Sequence, residues 1–321
     1  MREGAGAGGQ HVRDRRESSS RADNYGRGVV ELDDTDDPGR QAETLIKRLR
    51  ATFSTPQCAP PVLPVAALDV HRVSLAKNVK LDEVRAMLEK DPLLAARVLR
   101  VANSSLYAGA PLQSLQHAVM RLGMKNLACV VWEVAMNMRV FRCKTYNEPM
   151  EQVRKHSTAV AHVARLVAEQ TPIPLDYAFL CGLLHDVGAA AILLLLGERG
   201  PVETTPLPGF VLDEVLLGVH AEASQIIAKN WKLPADLQLV LAHHHAVDVG
   251  GHVHPTAAVV ALAQKLASEE GAALGFVGPS WDVTSDSSLR SAEQALGISG
   301  VAFEKLRTRA NKLLQDLAES S

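Results

Sequence analysis

Aromatic side chains are scarce in this 321-residue chain: Phe, Trp and Tyr make up 4% of it, whereas hydrophobic residues together make up 47%. The apolar set is dominated by Leu, Ala and Val, which favours packed helices over sheets. An excess of charge is also lacking, because 34 Lys and Arg oppose 36 Asp and Glu, for a formal net charge of −2. The sequence therefore indicates a sizeable helical core and gives no chain-wide basic character that would favour nucleic-acid binding.

Paired cysteines and long apolar runs are missing as well. The four cysteines, Cys58, Cys129, Cys143 and Cys181, form no Cys-x-x-Cys motif, so we expect buried free thiols in a reducing compartment. The opening residues contain no apolar stretch of the secretory type, and the longest apolar run, Val187–Gly197, is too short to span a bilayer. These absences predict a cytoplasmic protein without a membrane segment.

The composition of the chain changes near residue 41. Residues 1–41 are rich in Gly, Ser, Arg and Asp and poor in apolar side chains, which predicts a disordered N-terminal tail. After it we expect an N-terminal helical half over 42–150, a second helical half over 151–270, and a loop followed by a C-terminal helix over 271–321. Helical periodicity is nearly continuous after residue 65, so the predicted fold class is all-α.

Capping residues predict several helix boundaries. Asp91 followed by Pro92 should open a helix, and Ser114 should cap another that ends near Gly123. Asn103 could organise a turn or face a pocket, and the turn is the favoured interpretation. Later helices are expected near 151–170, 175–197, 211–230, 234–246, 255–270 and 299–319.

Several of the twelve histidines stand in apolar helical patterns. One is joined directly to an aspartate in the middle of such a helix, and a buried carboxylate needs a partner. Imidazole nitrogens with a carboxylate oxygen suit Zn, Mn or Fe. The pattern alone leaves two interpretations open: a divalent-metal site, or a core network in which the histidines bond to backbone or carboxylate groups. The candidate residues are His156, His185, Asp186, His220 and the triplet His243, His244 and His245.

Three separated segments carry a resemblance to a known family. HSTAVAHVARLVAE and AFLCGLLHDVG resemble the opening of the HD phosphohydrolase superfamily, in which a His and an adjacent His-Asp pair bind divalent metal. EKDPLLAARVLRVANSSLYAGAPLQSLQHAVMRLGMKNL upstream and GVHAEASQIIAKNWKLPADLQLVLAHHH downstream resemble the HDOD domain, a bacterial output domain related to HD proteins. The resemblance covers roughly 56–270. It implies a multi-helical HD-like bundle with an N-terminal helical subdomain.

The resemblance also implies ligand positions. His156, His185, Asp186, His220 and one or two of the final histidines, His244 and His245, occupy HD-type metal-ligand positions. Mn, Fe or Zn would be the cofactor.

The sequence also departs from the pattern of HD enzymes at several positions. HD enzymes usually close the site with a late Asp, where this chain has Gln264, and a neutral amide is a weaker ligand for a hard cation. Gln264→Asp should therefore raise divalent-metal affinity. HD-GYP phosphodiesterases follow the HD motif with Lys, where this chain has Ala189, and their GYP signature is absent. These changes weaken phosphate hydrolysis.

The favoured function is therefore a non-catalytic HDOD-type signalling module that acts through protein or ligand contacts. The alternatives are a metal-dependent phosphohydrolase acting on a nucleotide or cyclic nucleotide, and nucleotide binding without cleavage. A signalling protein is the expected partner. No nucleic-acid partner is evident.

Overall fold

The computed structural model describes the greater part of the chain, and this part is almost wholly helical, which confirms the predicted all-α class. The described residues are 37–55, 69, 73, 81–107, 109–198, 206–275, 284–298 and 300–320. The first helices are α1 (Pro38–Phe53), α2 (Leu81–Glu89), α3 (Pro92–Ala102) and α4 (Leu115–Arg139), with a 3-10 turn at Ser105–Tyr107. The later helices are α5 (Asn147–Ala168), α6 (Leu175–Leu184), α7 (Val187–Glu198), α8 (Gly209–Asn230), α9 (Ala235–His243), α10 (Pro255–Ala267), α11 (Asp286–Leu296) and α12 (Val301–Ser320).

Two short irregular elements complete the second half. An antiparallel hairpin of β1 (Asp248–Val249) and β2 (His252–Val253) lies between α9 and α10. A π-helical turn, Ser268–Ala272, follows α10 directly and is called the π turn below. Such turns are rare and often occur at functional sites.

The predicted capping residues begin their helices as expected. The Asp91 carboxylate accepts a hydrogen bond from the Leu94 amide at 3.1 Å, and Ser114 Oγ accepts one from the His117 amide at 3.2 Å. Gly123 leaves the helical conformation with φ 65° and ψ 169°, so α4 is kinked where a helix end was predicted. The Asn103 side chain exchanges hydrogen bonds with the backbone of Leu112 at 2.7 and 2.9 Å, which confirms its turn-forming role.

Some boundaries differ from the sequence-based expectation. The helix predicted over 175–197 is broken at His185 and Asp186, which form a turn between α6 and α7. Helix α11 lies in a stretch that was predicted as loop, because few apolar residues mark it: only Leu289 and Ala292 are buried. Helix α1 begins at Pro38, inside the predicted tail, and residues 1–36 lie outside the described residues.

The helices enclose two hydrophobic cores that share α4. The smaller core is formed by α2, α3 and one face of α4, including Leu88, Leu94 and Val131. The larger core contains α1, the other face of α4, through Trp132 and Met136, and the helices from α5 onward. Helices α1 and α4 therefore both connect the predicted halves.

The thiols and the most apolar helices belong to this interior. Cys129, Cys143 and Cys181 are free and buried, as predicted, and Cys58 lies outside the described residues. Among the described helices, one stretch, Leu175–Gly197, is long and apolar enough by composition to cross a membrane, and its most apolar window is 83% buried. That burial is what a core helix requires.

Candidate metal centre

Four separate parts of the second half bring the six candidate ligands together. Helix α5 contributes one histidine, the turn between α6 and α7 contributes the His-Asp pair, α8 contributes another histidine, and the turn after α9 contributes the last two. The side chains of His156, His185, Asp186 and His244 are 0% exposed and that of His220 is 2% exposed. His245 is partly exposed. Residues up to 89 positions apart in sequence thus converge in one buried cluster.

One side of the cluster is formed by His156, His185 and Asp186. The Nε2 atoms of the two histidines are 3.1 Å apart. Asp186 Oδ2 lies 3.3 Å from His185 Nε2 and 3.8 Å from His156 Nε2. Their ligand atoms are close enough to hold one metal ion.

The other side is formed by His220, His244 and His245. His220 Nε2 lies 3.3 Å from His244 Nε2 and 2.9 Å from His245 Nε2. Asp186 presents its second oxygen here, with Oδ1 at 3.4 Å from His244 Nε2 and 3.6 Å from His220 Nε2. Asp186 therefore stands between two groups of histidines, one facing each carboxylate oxygen.

Backbone carbonyl groups orient the imidazole rings. His185 Nδ1 lies 2.7 Å from the Gly182 oxygen, His220 Nδ1 2.8 Å from the Leu216 oxygen, and His244 Nδ1 2.7 Å from the Leu241 oxygen. A carbonyl oxygen can only accept, so each Nδ1 carries the proton and donates it. In a neutral ring the Nε2 atom is then a bare acceptor that points into the cluster.

His156 has the same arrangement with a more distant partner. Its Nδ1 lies 2.5 Å from the carbonyl oxygen of Ala272, at the end of the π turn. The four rings that face Asp186 thus turn four Nε2 lone pairs toward one carboxylate.

This donor set fits a divalent cation. Two neutral Nε2 acceptors cannot hydrogen-bond each other, yet they approach within 3.1 Å at His156 and His185. Two nitrogens bound to one tetrahedral ion at about 2.0–2.1 Å stand about 3.3 Å apart. Imidazole nitrogens held by backbone carbonyls are the usual arrangement of metal-binding histidines. The residues present therefore suit a metal such as Zn, Mn or Fe.

The electrostatics of the cluster keep at least one ring neutral. Burial, and next the neighbouring His245, lower the pKa of His244 from 6.5 to about 3. A neutral imidazole is the form that binds a metal. His244 is thus available as a ligand across the neutral pH range.

Two glycines allow the helices to approach closely enough to form the cluster. A Cβ at Gly188 would lie 2.1 Å from the carbonyl oxygen of His220 and 2.5 Å from the amide of Ser224, and a Cβ at Gly182 would lie 2.8 Å from Ala161 Cα. The Gly188 amide also donates to the buried Ser224 hydroxyl at 2.8 Å. These contacts hold the turn bearing Asp186 against α8.

Four further groups lie in or around this part of the fold, and two of them were not predicted from the sequence. His162, six positions after His156 on α5, lies outside the cluster and contacts Glu133, with 3.4 Å between Nε2 and Oε2. Gln264 is 2% exposed on α10, and its role as an altered ligand position stays a prediction. Ser224 and the Ala272 carbonyl were not found by sequence reasoning, because a serine and a backbone group carry no ligand motif.

The fold has relatives of known structure. An HDOD domain protein of unknown function from Geobacter sulfurreducens superposes with a TM-score of 0.67 at 24% identity, covering 88% of this chain and 98% of that one. A protein from Shewanella amazonensis, provisionally named a metal-dependent phosphohydrolase, gives a TM-score of 0.63 at 19% identity, covering 86% and 99%. At these identities the likeness establishes the fold.

A sequence relative and a family match assign the chain. An uncharacterized protein of Treponema pallidum is 24% identical over 196 residues, and the match spans 58% of this chain but only 37% of that relative's length. The HDOD domain model matches residues 61–247, which is more than half of the chain. The protein therefore belongs to the HDOD domain family.

Proposed function

We propose that this protein is a bacterial signal-transduction module in which a buried His-Asp centre holds divalent metal for a structural, non-catalytic purpose. The observation that carries the proposal is burial: four of the six candidate ligands are 0% exposed and a fifth is 2% exposed. Structural metal sites are closed by their protein ligands, whereas catalytic sites keep an open position for water or substrate.

A metal would relieve the electrostatic problem inside the cluster. The Nε2 lone pairs and the Asp186 carboxylate concentrate negative potential in a buried place, where interactions between charges are strong. A bound ion supplies the compensating positive charge, and because the unfolded chain has no such site, its binding energy stabilises the fold. The residues present would hold the ion with His156, His185 and Asp186 on one side and His220, His244 and His245 on the other.

Two positions argue against phosphate hydrolysis. Ala189, where HD-GYP enzymes have Lys, is 0% exposed in α7, so this position faces the core. Gln264, where HD enzymes usually have Asp, is 2% exposed and neutral. Neither residue can neutralise the charge that develops on a phosphate in the transition state.

We propose a protein contact as the output of the module and a nucleotide as a candidate input ligand. Both are supported by the HDOD assignment together with the departures from the enzyme pattern at Ala189 and Gln264. A cytoplasmic location agrees with this role and with the burial of the most apolar helices.

The proposal is tested by metal analysis and thermal denaturation of the purified chain. We expect bound divalent metal, a Tm lowered by chelation and restored by Zn or Mn, and no cleavage of cyclic dinucleotides or nucleotides with Mn or Fe. His185→Ala should lose the metal-dependent part of the Tm, whereas Asn103→Ala, in a turn of the other half, should keep it. Robust cleavage that His185→Ala abolishes would overturn the non-catalytic assignment.

One observation favours the second candidate, a metal-dependent phosphohydrolase. His245 is partly exposed and lies 2.9 Å from His220 Nε2, so one side of the cluster approaches solvent. A small phosphate ester could reach this side without crossing the core. The cleavage assay above decides between the two functions.

A further inference from the structure

His156 is oriented differently from the other rings of the cluster. His185, His220 and His244 donate their Nδ1 protons to carbonyls three or four residues earlier in the chain. His156 donates to the carbonyl of Ala272, which is 116 residues away. Its orientation is therefore the one that a separate part of the chain controls.

The Ala272 carbonyl depends on an unusual backbone. Within the π turn, Glu270 has φ −97° and ψ 20°, and Gly271 has φ 89° and ψ 8°, so both leave the helical conformation. The positive φ of Gly271 is one that L side chains adopt only with strain. The next residues return to the interior, where Leu274 is 0% exposed. The path of the chain into Ala272, and with it the place of its carbonyl, thus depends on these two residues.

The C-terminal helix holds this turn in place. Asn311, on α12, donates a hydrogen bond from Nδ2 to Glu270 Oε2 at 2.5 Å, and both side chains are partly buried. The connection therefore runs from α12 through Glu270 and Ala272 to His156. Every member except His156 lies beyond residue 247, where the match to the HDOD family ends.

We propose that α12 and the π turn position His156 and thereby control whether the His156, His185 and Asp186 side of the cluster binds metal. This inference rests on the proposed metal centre. A movement of α12 would release the Ala272 carbonyl and free the ring to turn or change tautomer, while the three locally held histidines would keep their orientation. Asn311 and Glu270 are positioning residues, since they act through the π turn.

A donor–acceptor exchange tests the connection. Asn311→Asp places a carboxylate against Glu270 and should break the contact, and Glu270→Gln in the same chain should restore it with the amide on the other side. In the metal-free protein, we expect histidine NMR to show His156 mainly as the Nδ1–H tautomer in the wild type, a reduced Nδ1–H fraction in Asn311→Asp, and recovery in the double variant. Resonances are assigned with His156→Gln.

Metal binding gives the second readout. Loss of an orienting partner typically weakens metal affinity by about 10- to 100-fold. We expect Zn affinity to fall by about tenfold in Asn311→Asp, and to recover in the double variant.

Two matched controls separate positioning from general loosening. Arg309→Ala removes another contact of α12, the 2.7 Å ion pair with Glu169, and should change neither readout. Gly271→Ala and Gly297→Ala both place a Cβ at positive φ with no atom within 4 Å, so they impose similar strain at different places. Only Gly271→Ala should disturb His156.

The outcomes distinguish this inference from the proposed function. An unchanged His156 tautomer in Asn311→Asp and Gly271→Ala overturns the inference, whatever the metal content. Equal effects of Arg309→Ala or Gly297→Ala overturn it as well. A tautomer change in a protein that binds no metal in any variant overturns the proposed metal centre and the control of metal binding, and it leaves the positioning of His156 established.

Discussion

The two halves of the molecule differ in how many polar residues they bury. In the described residues before His156, every residue that is buried as a whole belongs to the hydrophobic class, and only single polar atoms of other residues, such as Asn137 Oδ1, are buried there. From His156 onward, twelve of the described polar or charged side chains are buried, and five of them, including Asp186, belong to the cluster. Burying polar groups costs free energy unless they are satisfied. The buried residues of the first half therefore suit a structural scaffold, whereas those of the second half include the polar side chains of the candidate site.

The same contrast extends to glycine. Gly123, in α4, has positive φ, and a Cβ added there would meet no atom within 4 Å, so its role is conformational. Gly188, beside Asp186, is in a crowded helix contact, so its role is steric. Disturbing the second half should thus affect packing and site together, whereas disturbing the first should affect stability alone.

The largest expected effect follows from this difference. Gly188→Ala places a methyl group 2.1 Å from the His220 carbonyl, and backbone atoms cannot move aside without separating α7 from α8. We expect a loss of at least about 3 kcal/mol of unfolding free energy together with loss of metal. Gly123→Ala places a side chain at φ 65° and ψ 169°, a conformation that is essentially restricted to glycine, so it should cost about 1–3 kcal/mol but keep the metal. Urea denaturation measures the unfolding free energy of both variants, and metal analysis measures their metal content. Equal losses of stability and metal in the two variants would contradict the difference between the halves.

Much of this architecture could be predicted from the sequence. The caps at Asp91 and Ser114 could be predicted because a helix cap depends on residues that are adjacent in sequence. The histidine pattern together with the family resemblance named six residues that the structure brings together. Apolar periodicity marked most helices because each buries one continuous face.

The remainder depends on contacts that sequence patterns do not reveal. The break at His185 and Asp186 lies in an uninterrupted apolar pattern. It is associated with a hydrogen bond from the His185 ring to the Gly182 carbonyl and with one from the Gly188 amide to Ser224 Oγ. The π turn contains no hydrophobic pattern of its own. Its carbonyl contact with His156 joins distant parts of the chain, which no local pattern can indicate.

An intermediate effect is expected from pH in the metal-free protein. The pKa of His244 is about 3 when folded, against an ordinary value of 6.5, so between these values the unfolded chain binds more protons. Stability should therefore fall as the pH is lowered from 6.5 toward 3 and be constant, for this group, above 6.5. Urea denaturation at pH 7 and pH 5 measures the loss, and His244→Gln should reduce it. An unchanged pH dependence in that variant would show that the acid sensitivity arises elsewhere.

The smallest effect is expected from a cap in the first half, and it tests whether that half is only a scaffold. Asp91 accepts the Leu94 amide at 3.1 Å and begins α3, far in sequence from the cluster. Asp91→Ala leaves that amide without its cap and should cost about 1 kcal/mol, while Asp91→Asn should retain most of the stability because Asn caps equally well. Neither substitution should alter metal affinity, since α3 packs on α4 and contributes no ligand. Isothermal titration calorimetry with Zn measures the metal affinity of each variant, which is then compared with its unfolding free energy. A metal affinity that fell with Asp91→Ala and recovered with Asp91→Asn would mean that the first half acts on the site through α4, and the division into scaffold and site would have to be abandoned.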